Sequence, residues 1–93
     1  MRILIAEDES ITRMGLRRML EDAGHRVTEA GDGQAAVDLA RKTRPDLGIL
    51  DIKMPKLDGL SAAQRIYRER PIPLVLLTAY GDQELVEQAK ALP

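Results

Sequence analysis

Acidic side chains follow short apolar runs at two places in the chain, where they could bind a divalent cation or act as nucleophiles. Glu7 and Asp8 come directly after the apolar run 3–6, and Asp51 directly follows the run 47–50. Carboxylates that converge within a few ångström raise one another's pKa, share protons or recruit a cation. The chain has no cysteine and only one histidine, so an all-oxygen site here selects Mg²⁺ or Mn²⁺ rather than Zn²⁺.

Each of these acids also has a structural interpretation, since acidic residues at strand ends are common turn formers and helix caps. That interpretation suits Glu9 best, and it also suits Asp58, which precedes Gly59. It is weaker for the three acids that immediately follow apolar runs. Mg²⁺ prefers one or two carboxylates together with waters and a substrate phosphate, so those three acids indicate phosphoryl chemistry.

Four apolar runs alternate with amphipathic segments and predict four strand–helix units. The runs 3–6, 47–50 and 74–77 are continuous, as in strands buried on both faces, whereas 26–29 alternates like an edge strand. This strict alternation predicts an α/β fold with a doubly wound parallel sheet and right-handed crossovers. In the strand order 2-1-3-4 the first and third strands are neighbours, which brings Asp8 and Asp51 within several ångström of each other.

The predicted helices begin where capping residues or glycines follow each strand. These helix starts are Ser10, Asp32-Gly33, Asp58-Gly59 and Gly81-Asp82. In the first helix the apolar spacing predicts an inner face, formed by Leu16, Met19, Leu20 and Ala23. The same helix carries an arginine cluster, which is interpreted as a solvated face rather than a nucleic-acid patch because acids balance the charge. This cluster is Arg13, Arg17 and Arg18.

Length and composition exclude several classes of protein. Ninety-three residues fit one small domain, and 44% hydrophobic with 31% charged residues excludes simple disorder. A net charge of -1 gives no overall attraction to nucleic acid or anionic lipid. No apolar run approaches the roughly 18 residues of a membrane span, and acids come too early for a signal peptide. A cytoplasmic protein without a membrane partner is expected.

In combination, these motifs resemble the receiver domain of bacterial two-component response regulators. The resemblance runs from Met1 to about Leu92 and is carried by Glu7-Asp8-Glu9-Ser10, Asp51-Ile52-Lys53-Met54-Pro55 with Asp58-Gly59, and Leu77-Thr78-Ala79. It implies a flavodoxin-like fold, which in that family has five strands. Residues 1–93 are therefore expected to form a single receiver domain that is C-terminally truncated and lacks the fifth strand–helix unit.

The resemblance implies a role for each matched acid. Asp51 is the phosphoacceptor, which takes a phosphoryl group from the phosphohistidine of a sensor histidine kinase. Asp8, Asp51 and the backbone carbonyl of Lys53 bind Mg²⁺, and Glu7 binds it through a water molecule. The phosphorylated domain then switches an output domain or a partner.

The resemblance also assigns the residues after the fourth apolar run. Thr78 hydrogen-bonds and so senses the phosphoryl group, and the small Ala79 leaves room beside it. The lysine that the family places after its fifth strand has no counterpart in this chain. Residues 77–81 together with 84–87 loosely resemble receivers attached to RNA-binding antitermination modules. Nucleic acid would be bound only through an output domain that these 93 residues do not contain.

Two alternatives to a phosphorylation switch stay open. Without a fifth strand, the run 74–77 forms an exposed apolar sheet edge, which could assemble the chain as a homodimer or by strand exchange. A phosphatase with an aspartate nucleophile would also use a strand-end Asp with Mg²⁺. Such enzymes need a second acid two residues later, where this chain has Lys53. Catalysis beyond self-phosphorylation and dephosphorylation is therefore not expected.

Overall fold

The computed structural model describes residues 1–77, in which four parallel strands alternate with three helices. The elements are β1 (Arg2–Ala6), α1 (Ser10–Asp22), β2 (Arg26–Ala30), α2 (Gly33–Thr43), β3 (Leu47–Asp51), α3 (Gly59–Glu69) and β4 (Leu74–Leu77). The strand order is β2-β1-β3-β4, which confirms the predicted α/β class and topology. Thr78, Ala79 and the helix predicted to begin at Gly81 lie outside the described residues.

The pairing register brings the ends of β1 and β3 to the same edge of the sheet. Ala6 lies opposite Leu50 of β3 and opposite Ala30 of β2. The residues that follow Ala6 and Leu50 are Glu7 and Asp51. Because the strands are parallel, both acids emerge at the carboxyl edge, where ligands bind in open α/β sheets.

The directions of the crossovers distribute the helices over the two faces of the sheet. The chain moves one way from β1 to β2, and the other way from β2 to β3 and from β3 to β4. Since such crossovers are right-handed, α1 covers one face while α2 and α3 cover the opposite face. Accordingly, α1 contacts β1 and β2, and α2 and α3 also contact each other.

The main hydrophobic core lies between the sheet and the helix pair α2 and α3. Leu4 and Leu50 are fully buried at its centre. The helices contribute small side chains to this contact, which allows them to approach the sheet closely. The core comprises Leu4, Ala6, Ala30, Ala36, Val37, Leu50, Ala62, Ile66 and Ile72.

The inner face of α1 differs from the sequence prediction. Leu16 and Leu20 are half-buried, but Met19 is 61% exposed and Ala23 is exposed. Among the described residues, the main packing contacts of α1 are with β1 and β2. Only the part of its apolar stripe that faces these two strands is therefore covered, and the prediction that Met19 and Ala23 point inward is wrong for residues 1–77.

The strands β2 and β4 form the edges of the described sheet. For β2 this confirms the prediction from its mixed polar and apolar sequence. At the other edge, Val75 of β4 is 46% exposed. Within residues 1–77, no helix has both the length and the apolar character needed to cross a membrane.

Candidate functional site

Three carboxylates meet at the carboxyl edge of the sheet. Glu7, Asp8 and Asp51 each offer an oxygen atom, and these atoms all lie within 4.8 Å of one another. Glu7 is only 7% exposed, whereas Asp51 is half-buried and Asp8 is exposed. The structure thus brings together the three acids that the strand order places at this edge.

The carboxyl group of Glu7 is costly to ionise. The pKa of Glu7 is raised from its ordinary value of 4.5 to about 7, mainly by burial and further by the hydrogen bond with Asp51 and the charges of Asp51 and Asp8. The backbone N–H of Glu9 donates to Glu7 Oε1 at 3.1 Å and opposes the rise, because it favours the carboxylate form. Without a cation, Glu7 therefore carries a proton for part of the time at neutral pH.

The donor set of this cluster fits a hard divalent cation. All the available ligand atoms are oxygens, which Mg²⁺ and Mn²⁺ prefer. The cluster also borders an open cavity of about 670 Å³, which leaves space for waters and for a phosphate. The cavity is lined by Asp8, Ile52, Lys53, Met54, Pro55, Asp58, Leu60 and Ser61. Proton sharing and cation binding are thus alternative ways to relieve the same charge repulsion.

The backbone around Asp51 is held by hydrogen bonds on both sides. The N–H of Ile52 donates to the carbonyl of Leu77 at 3.1 Å, and the N–H of Gly59 donates to the carbonyl of Ile52 at 2.8 Å. A Cβ atom on Gly59 would lie 1.9 Å from the Asp51 carbonyl oxygen, so only glycine fits here. The N–H of Lys53 lies 3.4 Å from Asp51 Oδ1. Packing of α3 against the end of β3 therefore fixes the backbone from which the Asp51 carboxylate extends.

The loop from β3 to α3 is also held by the start of α2. A Cβ atom on Gly33 would lie 1.8 Å from the Leu57 carbonyl oxygen, so the two backbones are in direct contact. Within the loop Lys56 has a φ of 66°, and its Nζ lies 3.9 Å from Asp32 Oδ2. The loop that carries Lys53 is thus packed between two helices, although the Lys53 side chain itself is exposed.

The two acids interpreted as caps behave differently. Asp58 caps α3 as predicted, and its Oδ1 accepts the N–H of Ser61 at 2.7 Å. Glu9 occupies the N-cap position of α1 without a side-chain bond to the backbone. Its Oε1 instead accepts the hydroxyl of Thr12 at 2.8 Å. The predicted cap Ser10 is wrong by one position, because Ser10 is the first helical residue.

Sequence reasoning missed a contact between α1 and the loop that carries the acids. Arg13, predicted to belong to a solvated face, is 23% exposed, and its Nε lies 3.4 Å from Glu29 Oε1. Its Nη1 donates to the backbone carbonyl of Glu7 at 2.6 Å. The signal for this contact was an acid inside β2, because Glu29 lies opposite the fully buried Ile5. Such an acid beneath a helix needs a basic partner.

The chain matches known proteins over nearly its whole length. The profile of the family described as response regulator receiver domain matches residues 3–92. The transcriptional regulatory protein PdtaR of Mycobacterium tuberculosis is 51% identical over 90 residues, which cover 96% of this chain and 44% of that protein. The probable transcriptional regulator ycf27 of Galdieria sulphuraria is 46% identical over 81 residues, with 87% of this chain and 32% of that protein covered. The chain thus spans less than half the length of these curated relatives.

A similar fold is found among solved structures. The chemotaxis protein CheY4 of Vibrio cholerae superposes on this chain with a TM-score of 0.90 at 29% sequence identity. The superposition covers 98% of this chain and 78% of that protein. The likeness therefore extends to the arrangement of strands and helices as well as to the sequence.

Proposed function

Because the chain belongs to the family of response regulator receiver domains, we propose that Asp51 is the residue that accepts a phosphoryl group. The observation that supports this is the cluster in which Asp51, half-buried at the end of β3, lies beside Glu7 and Asp8. The proposed donor is the phosphohistidine of a sensor histidine kinase, the partner that membership of the family implies.

In the proposed reaction an Asp51 carboxylate oxygen forms a bond to phosphorus while the bond from phosphorus to the histidine nitrogen breaks. The product on Asp51 is an acyl phosphate, which is covalent catalysis by an aspartate nucleophile. The contact of Gly59 with the Asp51 backbone holds the nucleophile in place before the reaction. A fixed nucleophile lowers the entropic part of the barrier.

The proposed cofactor is Mg²⁺, or Mn²⁺ in its place. Asp8, Asp51 and the backbone carbonyl of Lys53 would hold the ion directly, and Glu7 would hold it through a water molecule. When bound, the ion offsets negative charge on the transferring phosphoryl oxygens. Glu7 must lose its proton to take part, so a rising pH favours the site.

The proposal extends to two residues beyond the described part of the chain. Thr78 and Ala79 are proposed to contact and accommodate the phosphoryl group. In support, Leu77 lies opposite Asp51 in the pairing of β3 with β4, so residue 78 follows directly after the neighbour of the phosphoacceptor. We also propose that residues 1–93 are one receiver domain that continues past Pro93 with a fifth strand, which would pair with the exposed edge of β4.

The output of the whole protein is proposed to be the control of transcription. PdtaR and ycf27 are both named as transcriptional regulators, and this chain matches less than half of each. Nucleic acid would then be contacted by a separate output domain, and the proposed location is the cytoplasm. The loose resemblance to RNA-binding antitermination proteins stays a prediction.

Mass spectrometry of the intact protein tests the phosphoacceptor. The chain, and a version that continues past Pro93 in its reading frame, are incubated with acetyl phosphate and Mg²⁺. Both the wild type and the control Asp46→Asn, an exposed acid at the opposite edge of the sheet, should gain one phosphoryl group. Asp51→Asn should gain none. The proposal would be refuted if neither wild-type version gained a phosphoryl group, or if Asp51→Asn gained as much phosphoryl group as the wild type.

A second candidate, for residues 1–93 without the proposed fifth strand, is assembly through the edge of β4. The exposed apolar Val75 favours it, since a free apolar edge strand can pair with another chain. Sedimentation equilibrium over a wide concentration range should show a dimer that Val75→Lys abolishes. A wild type that is monomeric at every concentration would rule this assembly out and leave the phosphoacceptor proposal unaffected.

A further inference from the structure

Arg13 connects β2 to the loop that carries Glu7 and Asp8. Its Nη1 donates to the Glu7 carbonyl at 2.6 Å, and its Nε lies 3.4 Å from Glu29 Oε1. The side chain is 23% exposed, and a Cβ atom on Gly31 would lie 3.5 Å from Nη1. The guanidinium is therefore enclosed between α1 and the backbone that follows β2.

These contacts hold the backbone of Glu7 from both ends. The N–H of Glu7 donates to the carbonyl of Ala30 at 3.1 Å, and its carbonyl accepts from Arg13. A peptide group is planar, so fixing the Glu7 carbonyl also fixes the N–H of Asp8 and the direction in which Asp8 leaves the strand. The backbone from which the Asp8 side chain extends is thus held in part by Arg13.

The arrangement requires an arginine, and another positively charged side chain would not replace it. Two different nitrogens of one rigid, planar guanidinium meet two acceptors, which a flexible lysine with a single nitrogen cannot reproduce. The acceptor Glu29 is itself fixed, because its Oε2 accepts from Arg17 Nη1 at 2.5 Å. Arg17 makes its other ion pair with Glu21, and its contacts in the described structure do not include the Glu7 carbonyl. The two arginines therefore share an acceptor and differ in their contact with the loop.

We propose that Arg13, anchored by Glu29, is a positioning residue that orients the Glu7–Asp8 peptide for cation binding. The inference rests on the proposed function, because it concerns the same cation site. Groups that orient metal ligands typically change metal affinity about 10- to 100-fold when they are removed. Since Arg13 contacts the backbone of one ligand residue, an effect of about 10-fold is expected.

The test is Mn²⁺ affinity, measured from the electron paramagnetic resonance signal of the free ion at a pH above that of Glu7 ionisation. Arg13→Gln and Arg13→Lys should both bind Mn²⁺ about 10-fold more weakly than the wild type. The matched control Arg17→Gln removes an arginine from Glu29 but leaves the Glu7 carbonyl contact, so it should lose less affinity than either Arg13 variant. Glu29→Gln should weaken binding from the other side of the bridge, and it tests the proposal if the Arg13 variants do not fold.

Each variant is compared at a temperature at which circular dichroism shows it to be folded without Mn²⁺. Wild-type affinity in Arg13→Lys would show that charge alone is needed, and would overturn the proposal. The same follows if folded Arg13→Gln keeps wild-type affinity, or if Arg17→Gln loses as much affinity as Arg13→Gln. A wild type that does not bind Mn²⁺ would overturn the proposed function together with this inference, whereas the other results bear on the inference alone.

Discussion

Replacing Glu7 by glutamine should stabilise the cation-free chain above neutral pH, because it removes a carboxylate that is costly to ionise. Burial, together with the nearby Asp51 and Asp8, raises the pKa of Glu7 from 4.5 to about 7. This difference of about 2.5 in pKa corresponds to about 3 kcal/mol, at 1.36 kcal/mol for each pKa unit. Glutamine has nearly the same shape as glutamate and no charge, so it avoids this loss of stability.

The sign of the effect follows from where the proton is bound. Between pH 4.5 and about 7, folded Glu7 holds a proton that the unfolded chain has released, so the free energy of unfolding falls as the pH rises. Below pH 4.5 Glu7 is protonated in both the folded and the unfolded chain, and above about pH 7 the decrease in the free energy of unfolding is complete. The stability advantage of Glu7→Gln should therefore grow across this window to at most about 3 kcal/mol.

Urea unfolding followed by circular dichroism measures this advantage, with a chelator present to remove divalent cations. The control is Glu9→Gln, which changes an exposed neighbouring acid and should show no comparable pH-dependent gain. An advantage of Glu7→Gln that does not vary with pH would refute the reasoning. A Glu7→Gln variant that is less stable than the wild type above neutral pH would refute it equally.

Three further predictions concern packing and the site. Gly59→Ala would place a Cβ atom 1.9 Å from the Asp51 carbonyl oxygen and should cost about 3 kcal/mol. As a control, a Cβ atom on Gly15 would meet no described atom within 4 Å, so Gly15→Ala should raise the free energy of unfolding by about 1 kcal/mol. Equal urea midpoints for the two variants would contradict the close contact described for Gly59. Asp58→Ala should cost about 1 kcal/mol through loss of its cap bond, and an unchanged midpoint would contradict this. Mn²⁺ affinity should fall as the pH is lowered through 7, because a proton on Glu7 competes with the ion; a pH-independent affinity would oppose that explanation.

The sheet and its acidic edge could be predicted from sequence because few topologies fit the pattern. The continuous apolar runs ending at Ala6 and Leu50 indicate buried parallel strands, and right-handed crossovers restrict their order. Once β1 and β3 are neighbours, Glu7, Asp8 and Asp51 must leave the sheet at the same edge. Helix caps could be predicted only in part. Asp58 caps α3 as predicted, whereas Ser10 is one residue past the cap of α1, because the sequence does not fix the start of a helix to a single residue.

Features that depend on contacts between distant elements were not predicted. Met19 lies at the right spacing for an inner face, but its burial depends on which elements lie beside α1. The bridge from Arg13 to Glu29 joins residues on different elements, and neither residue belongs to a motif. Sequence spacing along α1 shows that Arg13 and Arg17 lie one turn apart, but it does not show that Glu29 lies beneath them.

Chemical mapping of the phosphorylated residue shows directly whether Asp51 is the phosphoacceptor. The chain that continues past Pro93 is treated with acetyl phosphate and Mg²⁺ and then with borohydride, which reduces an acyl phosphate and converts that aspartate to homoserine. Tandem mass spectrometry then locates the converted residue. Conversion is expected at Asp51 alone. Conversion at Asp8 or at any other acid, with Asp51 unchanged, would contradict it.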